Sequence, residues 1–173
     1  MNLIITCARH LEPETTDELS AVLAQFGDEN PEISRTSMSG VLTAKTKLVP
    51  FEVIKNIREK IVDEPWSIRY CLRIIPIEKV VDTNLEEIST QVFSLMKKVN
   101  EKESYRITIE KRNSDISSTE IISKIADNIT NKVSLEKPDW IALIEILGNK
   151  TGVSVLKSDD IFSLEISKRE LLE

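Results

Sequence analysis

Apolar positions along the chain switch between a period of two and a period near 3.6, and the switches mark the elements. Asn2 to Ala8 is a short apolar run with strand character. Pro13 opens a helix whose apolar positions Leu19, Val22, Leu23 and Phe26 fall at i, i+3, i+4 and i+7, with Gly27 placed to cap it. Ile33 to Met38, the turn Ser39-Gly40 and Val41 to Thr46 predict a hairpin. Pro50 starts a second helix with Phe51, Ile54, Ile57 and Ile61 on one stripe, and after Pro65 the run Trp66 to Ile75 predicts a last strand. The order β-α-β-β-α-β is that of a split βαβ, or ferredoxin-like, unit.

The second half follows another order. Leu85, Ile88, Val92, Leu95 and Val99 mark a helix, and Tyr105 to Glu110 alternates as a strand. Ile121, Ile122, Ile125 and Ile129 mark the next helix, with Ser117 and Glu120 at capping-box spacing. A short run at Val133 to Leu135, a strand from Trp140 to Leu147, a loop at 148–152 and a strand from Val153 to Leu156 complete α-β-α-β-β-β. Asp159 to Glu173 supports two readings: Asp159-Asp160 favours a helix start, while Phe162, Leu164 and Ile166 alternate like a strand. The fold class expected is α+β, an N-terminal ferredoxin-like domain over residues 1–82 packed on an α/β domain over residues 83–173.

Composition narrows the class. In 173 residues, 40% hydrophobic and 30% charged content fits a folded protein, and 5% aromatics leaves the core to Ile, Leu and Val. The start of the chain carries no basic leader, and no stretch approaches the roughly 20 apolar residues of a membrane span, so a cytoplasmic protein is expected. Cys7 and Cys71 lie far apart in apolar runs, without the CxxC spacing or histidine partners of a metal site, and read as buried free thiols.

Catalytic chemistry is sparse. His10 is the single histidine, between polar neighbours and with no nucleophile in an elbow context, so it reads as a loop or helix-entry residue. Four glycines and no phosphate-cradling motif argue against a nucleotide loop. Glu86-Glu87 and Asp159-Asp160 read as helix-start charges. These features predict a protein that is not an enzyme and carries no cofactor of its own.

Net charge is −6, which opposes broad polyanion binding. Up to Asn84 there are 10 Lys and Arg against 13 Asp and Glu, and beyond it 13 against 16. Both halves are therefore −3, and only local placement can select a binding surface. The stretch SYRITIEKRNSDISSTEII, residues 104–122, concentrates the interest. Arg106, Thr108 and Glu110 share one strand face, Ile107 and Ile109 face the core, and Lys111 and Arg112 emerge at the strand end beside a helix start. Arginine forks and helix N-termini both suit phosphate oxygens, with Ser117 or Ser118 able to cap the helix or share a phosphate. A Lys-Arg pair after a strand is equally a solvated turn. Tyr105 could stack a base or belong to the core. Arg69 and Arg73 on the last strand of the first half could extend the patch, while Lys150 at a hairpin tip and Lys157 are secondary candidates.

The second half resembles the THUMP domain of tRNA-modifying proteins. The likeness lies in the strand Tyr105 to Arg112, the isoleucine-rich helix containing Glu120, the segment Val133-Ser134-Leu135-Glu136-Lys137-Pro138-Asp139 and the strand Ile141 to Ile146. Ser134 stands where the signature usually has Asp. The βαββαβ half is similar to the ferredoxin-like domain that precedes THUMP. Arg73-Ile74-Ile75-Pro76-Ile77 is similar to an R-x-x-P-[IV] element of stand-alone THUMP proteins of the Tan1-type tRNA acetyltransferase adaptor family. Val80-Val81-Asp82 replaces a Thr-Cys-Lys-like triplet there and removes a base.

This resemblance implies an adaptor that grips the acceptor stem and 3′ end of tRNA. It would present the tRNA to a separate RNA cytidine acetyltransferase making N4-acetylcytidine, with acetyl-CoA and ATP belonging to that partner. The RNA-binding residues expected are Arg106, Lys111, Arg112, Arg73, Arg69, Lys150 and Lys157. Alternatives are a tRNA-binding subunit for thiolation or methylation, and a ferredoxin-like scaffold or regulatory protein without RNA.

Overall fold

Two β-sheets, each with helices packed on one face, divide the chain into two units, Met1–Ile77 with Asp159–Glu173 and Glu78–Ser158. The computed structural model describes all residues, 1–173. The fold is mixed α/β, with two sheets and five α-helices. No helix is long and apolar enough to cross a membrane.

The first unit contains β1 (Leu3–Thr6), α1 (Glu12–Gln25), β2 (Glu32–Arg35), β3 (Val41–Lys45), α2 (Pro50–Asp63) and β4 (Arg73–Pro76). Its sheet runs β2-β3-β1-β4-β9, every neighbour antiparallel, with β9 (Phe162–Ser163) contributed by the end of the chain. Leu3, Ile5, Leu42 and Ala44 meet Leu19 and Leu23 of α1 and Ile54, Ile57 and Ile61 of α2 in one apolar core. Both helices carry Pro in their first turn, where its missing N–H costs nothing. Gly40 turns the chain into β3 at φ +76°, and a Cβ there would meet the Cys7 carbonyl oxygen at 2.6 Å. Its N–H donates to the Glu12 carboxylate at 2.8 Å, a bond that favours the ionised form and holds the Glu12 pKa below its ordinary value.

The run Trp66 to Ile75 is a strand only from Arg73. The Glu18 carboxylate accepts the N–H groups of Arg69, Tyr70 and Cys71 at 2.5, 2.9 and 2.8 Å. Three successive N–H groups converging on one acceptor cannot follow the alternating geometry of a strand. Cys7 and Cys71 are buried free thiols, and burial first, then Glu18, pushes the Cys71 thiol well above its ordinary value.

The second unit contains β5 (Lys79–Asp82), α3 (Leu85–Leu95) with a 3-10 turn at Met96–Lys98, β6 (Tyr105–Arg112), α4 (Ser118–Asn128), β7 (Trp140–Leu147) and β8 (Lys150–Leu156). Its sheet runs β5-β8-β7-β6, with β6 and β7 parallel and joined across α4, and the other pairs antiparallel. Ile88 and Val92 of α3 and Ile121 and Ile125 of α4 pack on Ala142, Ile144, Ile146, Val153 and Val155. Asn84 and Ser117 cap α3 and α4 by accepting from the N–H groups of Glu87 and Glu120.

The tail realises both of its readings in turn. Phe162 and Ser163 pair with Ile74 and Arg73 of β4, and α5 (Leu164–Leu171) then starts under a Ser163 cap. Phe162 and Leu164 enter the core of the first unit. The expected partition at 82 thus differs from the packing in two places: residues 159–173 belong with the first unit, and β5, at 79–82, belongs to the second sheet. Charge follows the same division. The first unit has 11 Lys and Arg against 16 Asp and Glu, and the second has 12 against 13, so most of the net negative charge lies in the first.

Candidate nucleic-acid interface

Strand β6 alternates as its sequence requires. Tyr105, Ile107 and Ile109 turn toward the helix-covered core, which leaves Arg106, Thr108, Glu110 and Arg112 on the opposite face. Tyr105 is fully buried, and burial pushes its phenol above the ordinary value, so it is a core residue and not a stacking platform. Lys111 and Arg112 do not emerge beyond the strand. They are its last two residues, opposite Ile146 and Leu147 of β7.

The ladder separates the five bases of this unit that the sequence singles out. Arg112 lies opposite Leu147, which lies opposite Lys150, which lies opposite Asp82, so Lys111, Arg112 and Lys150 share one end of the sheet. Arg106 lies opposite Ile141, itself opposite Leu156, so Arg106 and Lys157 share the other end. At about 3.3 Å per residue the two ends of β6 are about 20 Å apart. Arg106, Lys111 and Arg112 therefore do not form a single cluster.

At the first end each base has a protein partner. Lys111 Nζ donates to the Ile116 carbonyl at 2.9 Å, tying down the loop before α4. Arg112 Nη1 donates to Glu145 Oε2 at 3.0 Å, and the Glu145 side chain is fully buried. Lys150 binds Asp82, whose carboxylate holds the ammonium above the ordinary lysine value. The Ser117 hydroxyl accepts from the Glu120 N–H at 3.2 Å as the N-cap of α4.

The other end is built differently. Residues 132–134 run beside the start of β6, with the Tyr105 N–H donating to the Lys132 carbonyl and the Ser134 N–H to the Tyr105 carbonyl, both at 3.0 Å. Arg106 Nη1 donates to the Leu135 carbonyl at 3.0 Å and latches this segment. The Asp139 carboxylate accepts from the Ser104 N–H at 2.8 Å, which fixes the start of β7. There Trp140, half-buried and directly opposite Tyr105, has the Lys157 ammonium 4.9 Å and the Lys98 ammonium 5.8 Å from its ring centroid. Glu78 holds Lys98 through both carboxylate oxygens at 2.8 Å.

Sequence reasoning placed the aromatic one strand away, on Tyr105, and missed Trp140 and Lys98. Trp140 opens an apolar run and reads as core, and Lys98 sits among the charges that follow α3; only the tertiary packing of the second unit brings them together. In the first unit, Arg73 begins β4 opposite Thr6 and Ser163. Arg69 precedes that strand, exposed, with its guanidinium 5.6 Å from the Tyr70 ring centroid. No three or more His, Cys, Asp and Glu side chains group in a way that could hold a metal ion.

Comparison with known proteins matches residues 82–156 to the THUMP domain model. No curated protein matches the chain at a significant level. Among solved structures, PH1313 from Pyrococcus horikoshii Ot3 is similar at TM-score 0.62 and 19% identity over 91% of this chain and 55% of its own. TrmN from Thermus thermophilus is similar at TM-score 0.60 and 15% identity over 88% of this chain and 44% of its own. A 4-thiouridine synthetase, solved as an RNA complex with bound ATP, is similar at TM-score 0.55 and 11% identity over 91% of this chain and 42% of its own. The chain spans about half the length of these structures, and at such identities the likeness is one of fold. The part of the chain that matches the THUMP domain, residues 82–156, makes up most of the second unit.

Proposed function

We propose that residues 1–173 are a tRNA-binding module for tRNA modification, with the modifying chemistry supplied from outside these residues. The match to the THUMP domain over 82–156 is the observation that carries this reading. The near-neutral charge of the second unit and its surface bases are compatible with local phosphate contacts, which need only a few cations and no overall positive field. The first unit, with β2-β3-β1-β4 antiparallel throughout, fits a ferredoxin-like companion domain.

The finer reading is an adaptor, not itself an enzyme, that presents the acceptor stem and 3′ end of tRNA to an RNA cytidine acetyltransferase. It rests on the Arg73-Ile74-Ile75-Pro76-Ile77 element, whose first four residues are β4. A second reading, service to a thiolating or methylating enzyme, is favoured by neighbours that include a 4-thiouridine synthetase and a possible methylase from Clostridium difficile 630. Nucleoside mass spectrometry of tRNA from a deletion strain separates them. Loss of N4-acetylcytidine supports the first, and loss of 4-thiouridine or a methylated nucleoside supports the second. Unchanged tRNA, together with no binding of tRNA by the purified protein, would overturn both in favour of a scaffold.

A further inference from the structure

We infer that the cleft between the end of α3 and the end of α4 takes one nucleotide of a single-stranded RNA segment, with the base against Phe93 and its phosphate at Lys97. This rests on the RNA-binding reading above and says where and how a single strand is held.

The cleft has a volume of about 330 Å³ and opens to solvent. Phe93, Met96 and Ile129 supply its apolar surface, and Phe93 and Ile129 are only half-buried. Lys97, from the 3-10 turn after α3, is exposed, and its ammonium makes no hydrogen bond or ion pair. The two walls are tied together. Asn131 Nδ2 donates to the Asn100 and Glu103 carbonyls, both at 3.0 Å, and Asn128 Nδ2 donates to the Lys124 carbonyl at 2.7 Å. With both amide nitrogens engaged, the two amide oxygens and the Thr130 hydroxyl remain for a ligand. No carboxylate lines this cleft, whereas the cleft beside β2 holds Asp28 and Glu32 and the one between α2 and α5 holds Glu170. A free ammonium in a lining without carboxylates selects an anionic ligand, the apolar surface asks for a flat face, and the oxygen acceptors ask for donors at its edge. A nucleotide carries all three, in its phosphate, its base and its amino or ribose hydroxyl groups. A free phosphate ion leaves the Phe93 surface unused, and a cationic ligand is repelled by Lys97. Bases inside a duplex are already stacked, so the occupant is a single-stranded stretch.

The test uses the full chain. Of the three methionines, Met96 lines this cleft, while Met1 and Met38 lie in the first unit. With isotope-labelled methionine methyl groups, titration with a fluorescein-labelled, eight-nucleotide single-stranded RNA should shift the Met96 methyl resonance along the same curve as the anisotropy of the label. The Met1 and Met38 resonances should stay in place. Phe93→Leu, with its fold checked by circular dichroism, should weaken single-strand binding by roughly 5- to 150-fold, and Phe93→Tyr, which keeps the ring, should retain most of the affinity. Lys97→Gln, a surface change, should lower the log-log salt slope by about 0.7. If the RNA binds but the Met96 resonance does not move and the Leu and Gln variants bind like the parent, this site is wrong while the RNA-binding reading stands. If neither this RNA nor a labelled tRNA changes its anisotropy, the RNA-binding reading itself falls and takes the site with it.

Discussion

Arg112 on β6 donates across the parallel ladder to Glu145 on β7, two positions before its own ladder partner Leu147, at 3.0 Å. Glu145 also lies directly opposite Glu110, so two carboxylates stand side by side in the ladder and the guanidinium offsets their repulsion. Removing one partner of a buried pair leaves the other charge desolvated. Arg112→Met should therefore lower stability by about 3 kcal/mol in urea unfolding. Arg112→Met with Glu145→Leu should recover most of that loss. A double variant as unstable as the single one would show that the pair is not what Arg112 supplies.

Gly40 should be intolerant of a side chain. Its φ of +76° is a region that L-residues rarely adopt, and a Cβ would press to 2.6 Å of the Cys7 carbonyl oxygen, which is backbone and cannot swing away. Gly40→Ala should cost about 2 kcal/mol or more, read as a fall in the thermal midpoint. Gly27, at φ +111° but with only a Leu48 methyl at 3.9 Å, should lose less on the same substitution.

Asp28 gives a pH signature. Its carboxylate accepts the Thr46 hydroxyl at 2.5 Å and the N–H groups of Lys47 and Asn30 at 3.1 and 3.2 Å. These bonds, the Thr46 bond first, hold it below the usual aspartate range of 3.8. A carboxyl whose folded value is depressed adds stability above its unfolded value, and that stability fades as pH falls through the folded one. The stability difference between wild type and Asp28→Asn should be full at neutral pH and shrink as pH drops below about 4. A difference constant from pH 7 to 2.5 would contradict this.

The elements most legible in the sequence are those whose signals are local. The Leu19, Val22, Leu23 stripe, the Ile54, Ile57, Ile61 stripe and the Ser117–Glu120 cap each need only a few neighbouring residues, and each appears as expected. The missed elements depend on distant partners. Lys79-Val80-Val81-Asp82 looks like a short connector until β8 pairs with it. Trp66 to Leu72 has strand composition, yet Glu18, some 50 positions earlier, takes its N–H groups. The interface shows the same divide. The bases of β6 stand out as a run, but whether they gather depends on the sheet order, and Trp140 acquires its ammonium neighbours only through tertiary pairing.

The return of the tail to the first sheet has its own consequence. Phe162 is fully buried in the first core and pairs with Ile74, so it carries β9 and the start of α5 into that unit. Truncating a buried aromatic leaves a cavity that the surrounding sheet closes only in part. Phe162→Ala should cost about 3–5 kcal/mol. Hydrogen exchange should locate the loss, with faster exchange at the amides of β4 and β1 and protection retained in β6 and β7. Loss of protection confined to β6 and β7 would mean that the last 15 residues stabilise the second sheet instead, and the division of the chain at Ser158 would have to be redrawn.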